Sequence, residues 1–300
     1  MDDAERLARA LGAVRSGRQW KCRCVSHEDR SPSMIIFPGR TGAAQVRCMA
    51  GCQPADIIGA LRARGLWHSV KQEETPTNQK LISRETVSDQ HEQKMRVLAR
   101  CIFDEATSLK GTLAEAYFDS RDLWSVAREI PDIRFHPACP RAGGTLPAVV
   151  IAMRSIASHA VTAVQRIFLT RAGHKNGAMM LGSAGGAAMQ LQPRGRELHI
   201  CEGLETGLAI VAQDHSPVWA MGSTSLIQTF PLLDDVERLV IWADHDRLQT
   251  IGGKPCRPGH KAAGICEARW IEADKSVEVR IPKNEGWDQC DVWRSRCARL

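Results

Sequence analysis

Apolar positions recur at two different periods along this chain, and the changeovers divide it into segments. Leu7, Leu11 and Val14 fall at helical spacing behind Asp2 and Asp3, which predicts a helix over residues 1–19. A Cys-rich stretch, Trp20 to Cys52, follows. Ile57, Ile58 and Leu61 then share one face of a helix expected over 53–67, with Gly65 as its stop. From His68 to Gln90 large apolar residues are few and Thr75-Pro-Thr-Asn78 interrupts the chain, so this stretch reads as a linker. Helical spacing returns over 93–109 and, after Gly111, over 113–120. Residues 121–145, with Pro131, Pro137, Pro140 and Gly143-Gly144, read as loop. Strand patterns cover 148–153, 160–169 and 187–191. From Glu197 onward strands (199–201, 217–220, 238–243, 277–281) alternate with helices (205–213, 226–232, 261–273). Such alternation predicts a parallel sheet with crossover helices.

The expected fold class is α+β with several domains. A small ribbon-like module occupies 1–70, a linker 71–92, a middle α+β region 93–196 and an α/β domain with a parallel sheet 197–300. Hydrophobic residues make up 43% and charged residues 25% of the 300, which excludes a wholly disordered or fibrous chain. The longest apolar run, Leu146 to Ala152, is strand-sized and too short for a membrane span. The N-terminus, Met1-Asp-Asp-Ala-Glu5, is acidic and no secretory signal, so a cytoplasmic location is expected and no membrane partner. A net charge of +6 suits a polyanionic partner without identifying one. Eleven Cys, an odd number, argue against a disulfide framework and for testing clustered Cys as metal ligands.

One cluster meets that test. Cys24-Val-Ser-His27 and Cys48-Met-Ala-Gly-Cys52 are two close pairs separated by 20 residues. Each pair suits a tight turn, and four such ligands close a tetrahedron around Zn²⁺. A module under 70 residues buries little core, so a structural metal would support its folding. Cys22 is a rival for Cys24, which leaves the commoner two-residue gap before His27. The remaining cysteines are scattered singly and read as ordinary buried thiols.

Three acidic groups fall where predicted strands end. Glu202 and Glu205 follow the strand at 199–201, Asp244 and Asp246 follow Leu239-Val-Ile-Trp242, and Asp288 and Asp291 follow the strand at 277–281. Ligands of open α/β sheets gather at the carboxyl ends of strands. Carboxylates converging from three loops repel one another unless a hard cation such as Mg²⁺ joins them. Taken singly, each group also reads as a solvated loop or a helix start.

These residues resemble the Toprim domain, the catalytic module shared by bacterial and phage primases, topoisomerases and some nucleases. On that resemblance Glu202 is the family's glutamate, Asp244 and Asp246 its Asp-x-Asp pair, and Asp288 and Asp291 its trailing acids. The Cys24, His27, Cys48, Cys52 set resembles the zinc-binding domain of primases, with His27-Glu-Asp-Arg-Ser-Pro-Ser33 before its loop and Cys52-Gln-Pro-Ala-Asp-Ile-Ile58 after it. The region from Arg121-Asp-Leu through Leu146-Pro-Ala to Gly182–Leu191 is similar to the middle of primases borne by phages and mobile elements. Two departures stand out: the three-residue gap between Cys48 and Cys52, and an insertion from Arg247 to Pro258 after the Asp pair.

The resemblance implies a DNA replication enzyme that makes short RNA primers on single-stranded DNA from NTPs, using Mg²⁺ (or Mn²⁺) and a structural Zn²⁺. Glu202, Asp244 and Asp246 would be catalytic, with Asp288 and Asp291 as further metal ligands. Arg121, Arg166, Arg171 and Lys175 are candidates for holding triphosphate or template. Arg18, Lys21, Arg23, Arg30, Arg40 and Arg47 would meet template phosphates near the zinc, where Trp20 either stacks on a base or packs. No GxxxxGK[ST] loop is present, so any helicase would be a separate partner. A Toprim nuclease and a non-catalytic DNA-binding adaptor are the alternatives. A topoisomerase is disfavoured, because the chain's single Tyr, Tyr117, has no domain presenting it as a nucleophile.

Overall fold

The structure, a computed structural model, describes residues 3–17, 19–29, 32–39, 43–48, 52, 54–67, 78–251 and 254–299. It divides into two compact units, Met1–Pro76 with Leu248–Cys256, and Thr77–Arg247 with Arg257–Leu300.

The first unit begins with α1 (Asp3–Ala10), then β1 (Val14–Ser16), β2 (Gln19–Cys22), β3 (Met34–Pro38), β4 (Ala44–Cys48) and α2 (Pro54–Ala63). The four strands form one antiparallel sheet in sequence order. Ala4, Leu7 and Ala8 of α1 and Ile57 and Leu61 of α2 pack on Met34 and Ile36. Alternation along β3 sends Met34 and Ile36 inward. The expected 1–19 helix stops at Ala10. Gly12 and Gly17 both take positive φ (60° and 65°), the first ending the helix and the second turning β1 into β2. Val14, read as a helical apolar position, is a strand residue and 72% exposed.

The second unit opens with α3 (Asn78–Glu105), α4 (Leu113–Asp119) and α5 (Trp124–Ala127). Then come β5 (Ile133–Arg141), β6 (Gly144–Ser155), β7 (Val161–Leu169), β8 (Lys175–Gly182) and β9 (Ala187–Gln190). The alternating part contains β10 (Glu197–Cys201), α6 (Leu204–Val211), β11 (Val218–Ala220), α7 (Thr224–Gln228) and β12 (Arg238–Trp242). The insertion after the Asp pair, which is grouped with the first unit, forms a hairpin of β13 (Gln249–Ile251) with β14 (Lys254–Cys256). Last are α8 (Pro258–Glu272), β15 (Ser276–Arg280) and α9 (Gln289–Cys297). Of the stretch expected as linker, 71–77 lies outside the described residues, and α3 takes 78–92.

Nine strands form one sheet, ordered β15-β12-β10-β11-β9-β6-β7-β8, with β5 also on β6. β10, β11, β12 and β15 are parallel. β9 is antiparallel to both β11 and β6, so the parallel and antiparallel regions share one sheet. The loop expected over 121–145 is largely β5. Pro137 and Pro140 fit there because, beyond the single bridge from Phe135 to Thr107, the strand partner of β5 is β6 alone, and a bulge separates His136 from Cys139. One face carries Ala99, Ile102 and Phe103 of α3 against Val150, Val164 and Phe168. Ile227 of α7 and Ala262, Cys266 and Trp270 of α8 pack on Ile200 and Ile241. Leu204 and Leu208 of α6 pack with Tyr117 and Phe118 of α4. Among the described residues no helix is long and apolar enough to cross a membrane.

Candidate active site and metal centre

In the first unit Cys24, His27, Cys48 and Cys52 come together, with one ligand atom from each within 4.8 Å of the others. The sheet causes this: Cys48 closes β4 opposite Met34, Met34 also pairs with Cys22, and Cys24 stands just past β2. His27 Nδ1 is 3.1 Å from Cys52 Sγ and 4.0 Å from Cys48 Sγ. Its Nε2 faces Asp29 Oδ1 at 3.8 Å. Asp29 Oδ2 accepts hydrogen bonds from Cys24 N (2.7 Å), Ser33 N (3.1 Å) and Ser33 Oγ (2.6 Å). Burial opposes ionisation of Asp29, but these bonds outweigh it and hold the carboxyl below its ordinary range. A carboxylate behind an imidazole fixes which nitrogen faces a metal. Burial, and after it the neighbouring Cys48 and Cys24 thiols, push Cys52 up to about 11 against a hydrogen bond from Ser26. Thiols crowded like this hold protons unless a cation replaces them. Three thiols and an imidazole fit Zn²⁺. Cys22 is buried beside this set and outside it.

Lys21 and Arg47 flank Ile35 in one cross-strand row and are exposed, as is Arg23. Trp20 packs against the core with Arg15 over its ring at 5.8 Å, so packing rather than an open stacking platform describes it. Arg18, Arg30 and Arg40 lie outside the described residues.

In the second unit the parallel strands β10, β12 and β15 end on one edge of the sheet. Glu202 follows β10 directly, Asp244 and Asp246 follow β12, and Asp288 starts α9 beyond β15. Four consecutive residues of each central strand are buried, Leu198–Cys201 in β10 (with His199 among them) and Leu239–Trp242 in β12, which fixes where their ends lie. Asp244 Oδ1 is buried and has no hydrogen-bond partner. Burial first, then the charges of Asp288, Glu202, Asp246 and Asp291, push its pKa up to about 8. Glu202 is raised by burial and by Asp246, against a hydrogen bond from Thr224 N–H. Asp288 is raised by burial, against bonds from the backbone of Asp291 and Cys290. Asp288 and Asp291 also cap α9 reciprocally, with Asp291 N donating to Asp288 Oδ1 (2.9 Å) and Asp288 N to Asp291 Oδ2 (3.1 Å). Among the described residues no three of these carboxylates gather as closely as the Cys and His groups do. The unpartnered oxygen and the mutually raised acids nonetheless fit a divalent cation at Asp244.

Residues 197–299 match the family model of the Toprim domain. The C-terminal part of this chain is a Toprim domain. Residues 93–191 match a second family model, described as a domain of unknown function. No curated protein matches the chain. Among solved structures, the zinc-binding and RNA polymerase domains of the Aquifex aeolicus primase are similar at 13% identity, covering 100% of this chain and 82% of that one, with a TM-score of 0.47. A DNA primase domain from Pseudomonas aeruginosa is similar at 15% identity over 68% of this chain and 77% of that one, with a TM-score of 0.46. A DnaG primase catalytic domain bound to single-stranded DNA is similar at 14% identity over 68% and 76%, with a TM-score of 0.45.

Within the Toprim domain the structure adds Gly259, which sequence spacing concealed. Its N–H donates to Asp246 Oδ2 at 2.6 Å, and Arg257 Nη1 donates to Asp246 O at 2.9 Å. A Cβ at Gly259 would sit 2.9 Å from Asp244 O and 3.0 Å from Asp246 Oδ2. Gly259→Ala is therefore expected to displace the turn between the two acids. It should lower the Toprim domain's stability by about 1–3 kcal/mol. Thermal melting checks this, and an unchanged Tm would contradict it.

Glu205 belongs to the first acidic group in sequence but has a partner set of its own. It accepts hydrogen bonds from Tyr117 Oη and Lys175 Nζ, both at 2.5 Å. Burial alone would raise its pKa, but Lys175 and the two hydrogen bonds hold it below the ordinary range. Tyr117, buried and bonded to a carboxylate, is raised well above its ordinary value. Arg121 lies 4.0 Å over the Tyr117 ring and donates to Tyr117 O. Arg171 is exposed. Arg166 is a correction to the basic set: it is buried beside Cys139, bonds Pro140 O at 2.7 Å, and so offers no surface to a template.

The raised Asp244 has a thermodynamic consequence. An acid whose folded pKa exceeds its unfolded value contributes stability at low pH that is lost as pH rises between the two values, here from 3.8 to about 8. Without divalent cations the protein should lose on the order of 2 kcal/mol between about pH 6 and pH 8.5 through this group. Mg²⁺ should restore more at the higher pH, and Asp244→Asn should flatten the profile. Melting curves across pH, with and without Mg²⁺, check all three.

Proposed function

We propose that this chain is a Toprim-type primase that joins ribonucleotides into short primers on single-stranded DNA. The observation that carries the reading is Asp244: a buried carboxylate with an unpartnered oxygen, among four further acids, at the strand ends of a Toprim domain. Glu202, Asp244 and Asp246 are the residues to hold Mg²⁺ or Mn²⁺, with Asp288 and Asp291 contributing negative potential. When bound, the cation neutralises phosphate charge and orients the NTP.

In the reaction a 3′-hydroxyl oxygen attacks the NTP α-phosphorus, a P–O bond forms, the hydroxyl proton passes to solvent, and the bond to the departing pyrophosphate breaks. The chain's own work is positional. Gly259 N–H fixes the Asp246 carboxylate, and the β12 end fixes Asp244. Arg121, Arg171 and Lys175 supply positive charge for the triphosphate. Tyr117 and Lys175 hold Glu205 ionised and in place.

The Cys24, His27, Cys48, Cys52 centre holds Zn²⁺ and keeps the small sheet folded. That sheet presents Lys21, Arg23 and Arg47 to template phosphates. Its presence favours a primase over a nuclease among Toprim enzymes. A separate replicative helicase would deliver the single strand. Incubating the pure protein with NTPs, Mg²⁺ and single-stranded DNA, and resolving the products by size, tests the reading.

A further inference from the structure

Next to the strand-end acids but not lined by them, a cavity of about 660 Å³ opens beside β15, bounded by the 281–287 segment, α9 and the residues after α6. That volume is in the range that takes small ligands, about 300–1,000 Å³. No Asp or Glu lines it, so its sign is opposite to that of the acidic edge. Its walls carry three flat rings, Trp242, Trp287 and His215, and three cations, Arg280, Lys283 and Arg296.

These groups are held in place. Trp242 Nε1 donates to His199 Nδ1 at 3.0 Å. The Arg280 guanidinium lies 4.9 Å from the Trp242 ring and is anchored by Glu278 at 2.6 Å. Arg296 donates to Gln213 Oε1 at 2.6 Å, and Gln289 shares that acceptor. Burial, and after it Arg280, keep the His215 ring neutral at neutral pH, so it offers a face rather than a charge. The outer wall is tied to the Asp pair's own turn: His245 Nδ1 donates to Pro282 O and His245 N to Trp287 O, both at 2.9 Å. A cavity fixed in this way needs little ordering when a ligand enters. Lys283 and Arg296 have no carboxylate partner among the described residues, so their charge is available.

We propose that this cavity is a second nucleotide site, distinct from the acidic cleft, that takes a nucleoside triphosphate. The base lies against the rings and the phosphates meet Lys283, Arg296 and Arg280. A flat aromatic wall beside unpaired cations suits a base joined to phosphates better than either alone.

Calorimetric titration of the full-length, zinc-loaded protein with ATP, in buffer free of Mg²⁺, tests this independently of primer synthesis. Wild type and Asp244→Asn should bind ATP alike. Lys283→Glu with Arg296→Glu should weaken binding at least about tenfold, and Lys283→Ala, a substitution at an exposed side chain, by a smaller factor with an unchanged Tm. Inorganic tripolyphosphate should bind at least about tenfold more weakly than ATP, because it lacks the stacking surface. Four results would overturn the proposal: no ATP binding to wild type, loss of binding in Asp244→Asn, unchanged affinity in the Lys283 variants, or tripolyphosphate binding as tightly as ATP.

Discussion

Asp244→Asn is expected to bind single-stranded DNA as wild type does and to make no primer. The substitution keeps side-chain size and removes the charge that a cation would meet. In the folded protein Asp244 is the acid most exposed to its neighbours' fields, with burial and four carboxylates all favouring its protonated form. A divalent cation reverses that preference, so the energy of the crowded acids is released only when metal binds. Removing this ligand should reduce synthesis by at least about 10³-fold, the scale seen when a preorganised electrostatic group is lost. The stabilisation of the protein by Mg²⁺ should shrink with it. DNA affinity should stay within about twofold, because the exposed cations Lys21, Arg23 and Arg47 are untouched. Synthesis that survives in both Asp244→Asn and Glu202→Gln would place the active site elsewhere.

Cys48→Ser should abolish zinc binding and unfold the N-terminal module. Cys48 occupies two structural roles at once: it ends β4 opposite Met34, and its thiol faces His27 and Ser33. The module's core is small, built on Met34, Ile36, Ile57 and Leu61 with short α1 residues around them. Apparent zinc-binding energies of about 10–16 kcal/mol exceed what such a core supplies. Elemental analysis should find one zinc per chain in wild type and in Cys22→Ser, and none in Cys48→Ser. Near-ultraviolet circular dichroism of the same variant should lose the signal of Trp20 and Trp67, both packed on this core. Full zinc retention in Cys48→Ser would remove the assignment.

The parts of the fold that could be read from the sequence are those whose cause is local. β10 and β12 are short, mostly apolar segments with an acid within two residues of their ends, so both strand and site appear in a few residues. The metal ligands form two close pairs, and pairs at turn spacing announce themselves. β5 and β8 are different. β5 carries two prolines that an edge position tolerates, and β8 exposes Met179 and Met180 on an outer strand, so neither shows the alternation of a half-buried strand. α9 has no periodic signal of its own: Asp288 and Asp291 read as charge, although their three-residue spacing is also a capping box. Gly259 was hidden by the Arg247–Pro258 insertion, which separates it in sequence from acids it touches in space. The bond from Tyr117 to Glu205 joins residues 88 apart, a relation no periodicity carries.

The most direct test of the central claim is to incubate the wild-type, zinc-loaded protein with labelled NTPs, Mg²⁺ and single-stranded DNA, and to resolve labelled products and template on one gel. The account predicts short, alkali-labile oligonucleotides that require the template, with the template intact. Template shortened without any need for NTPs would make this a nuclease. Neither product nor cleavage, with a replicative helicase present as well as without it, would make it an adaptor, and either result would contradict the account.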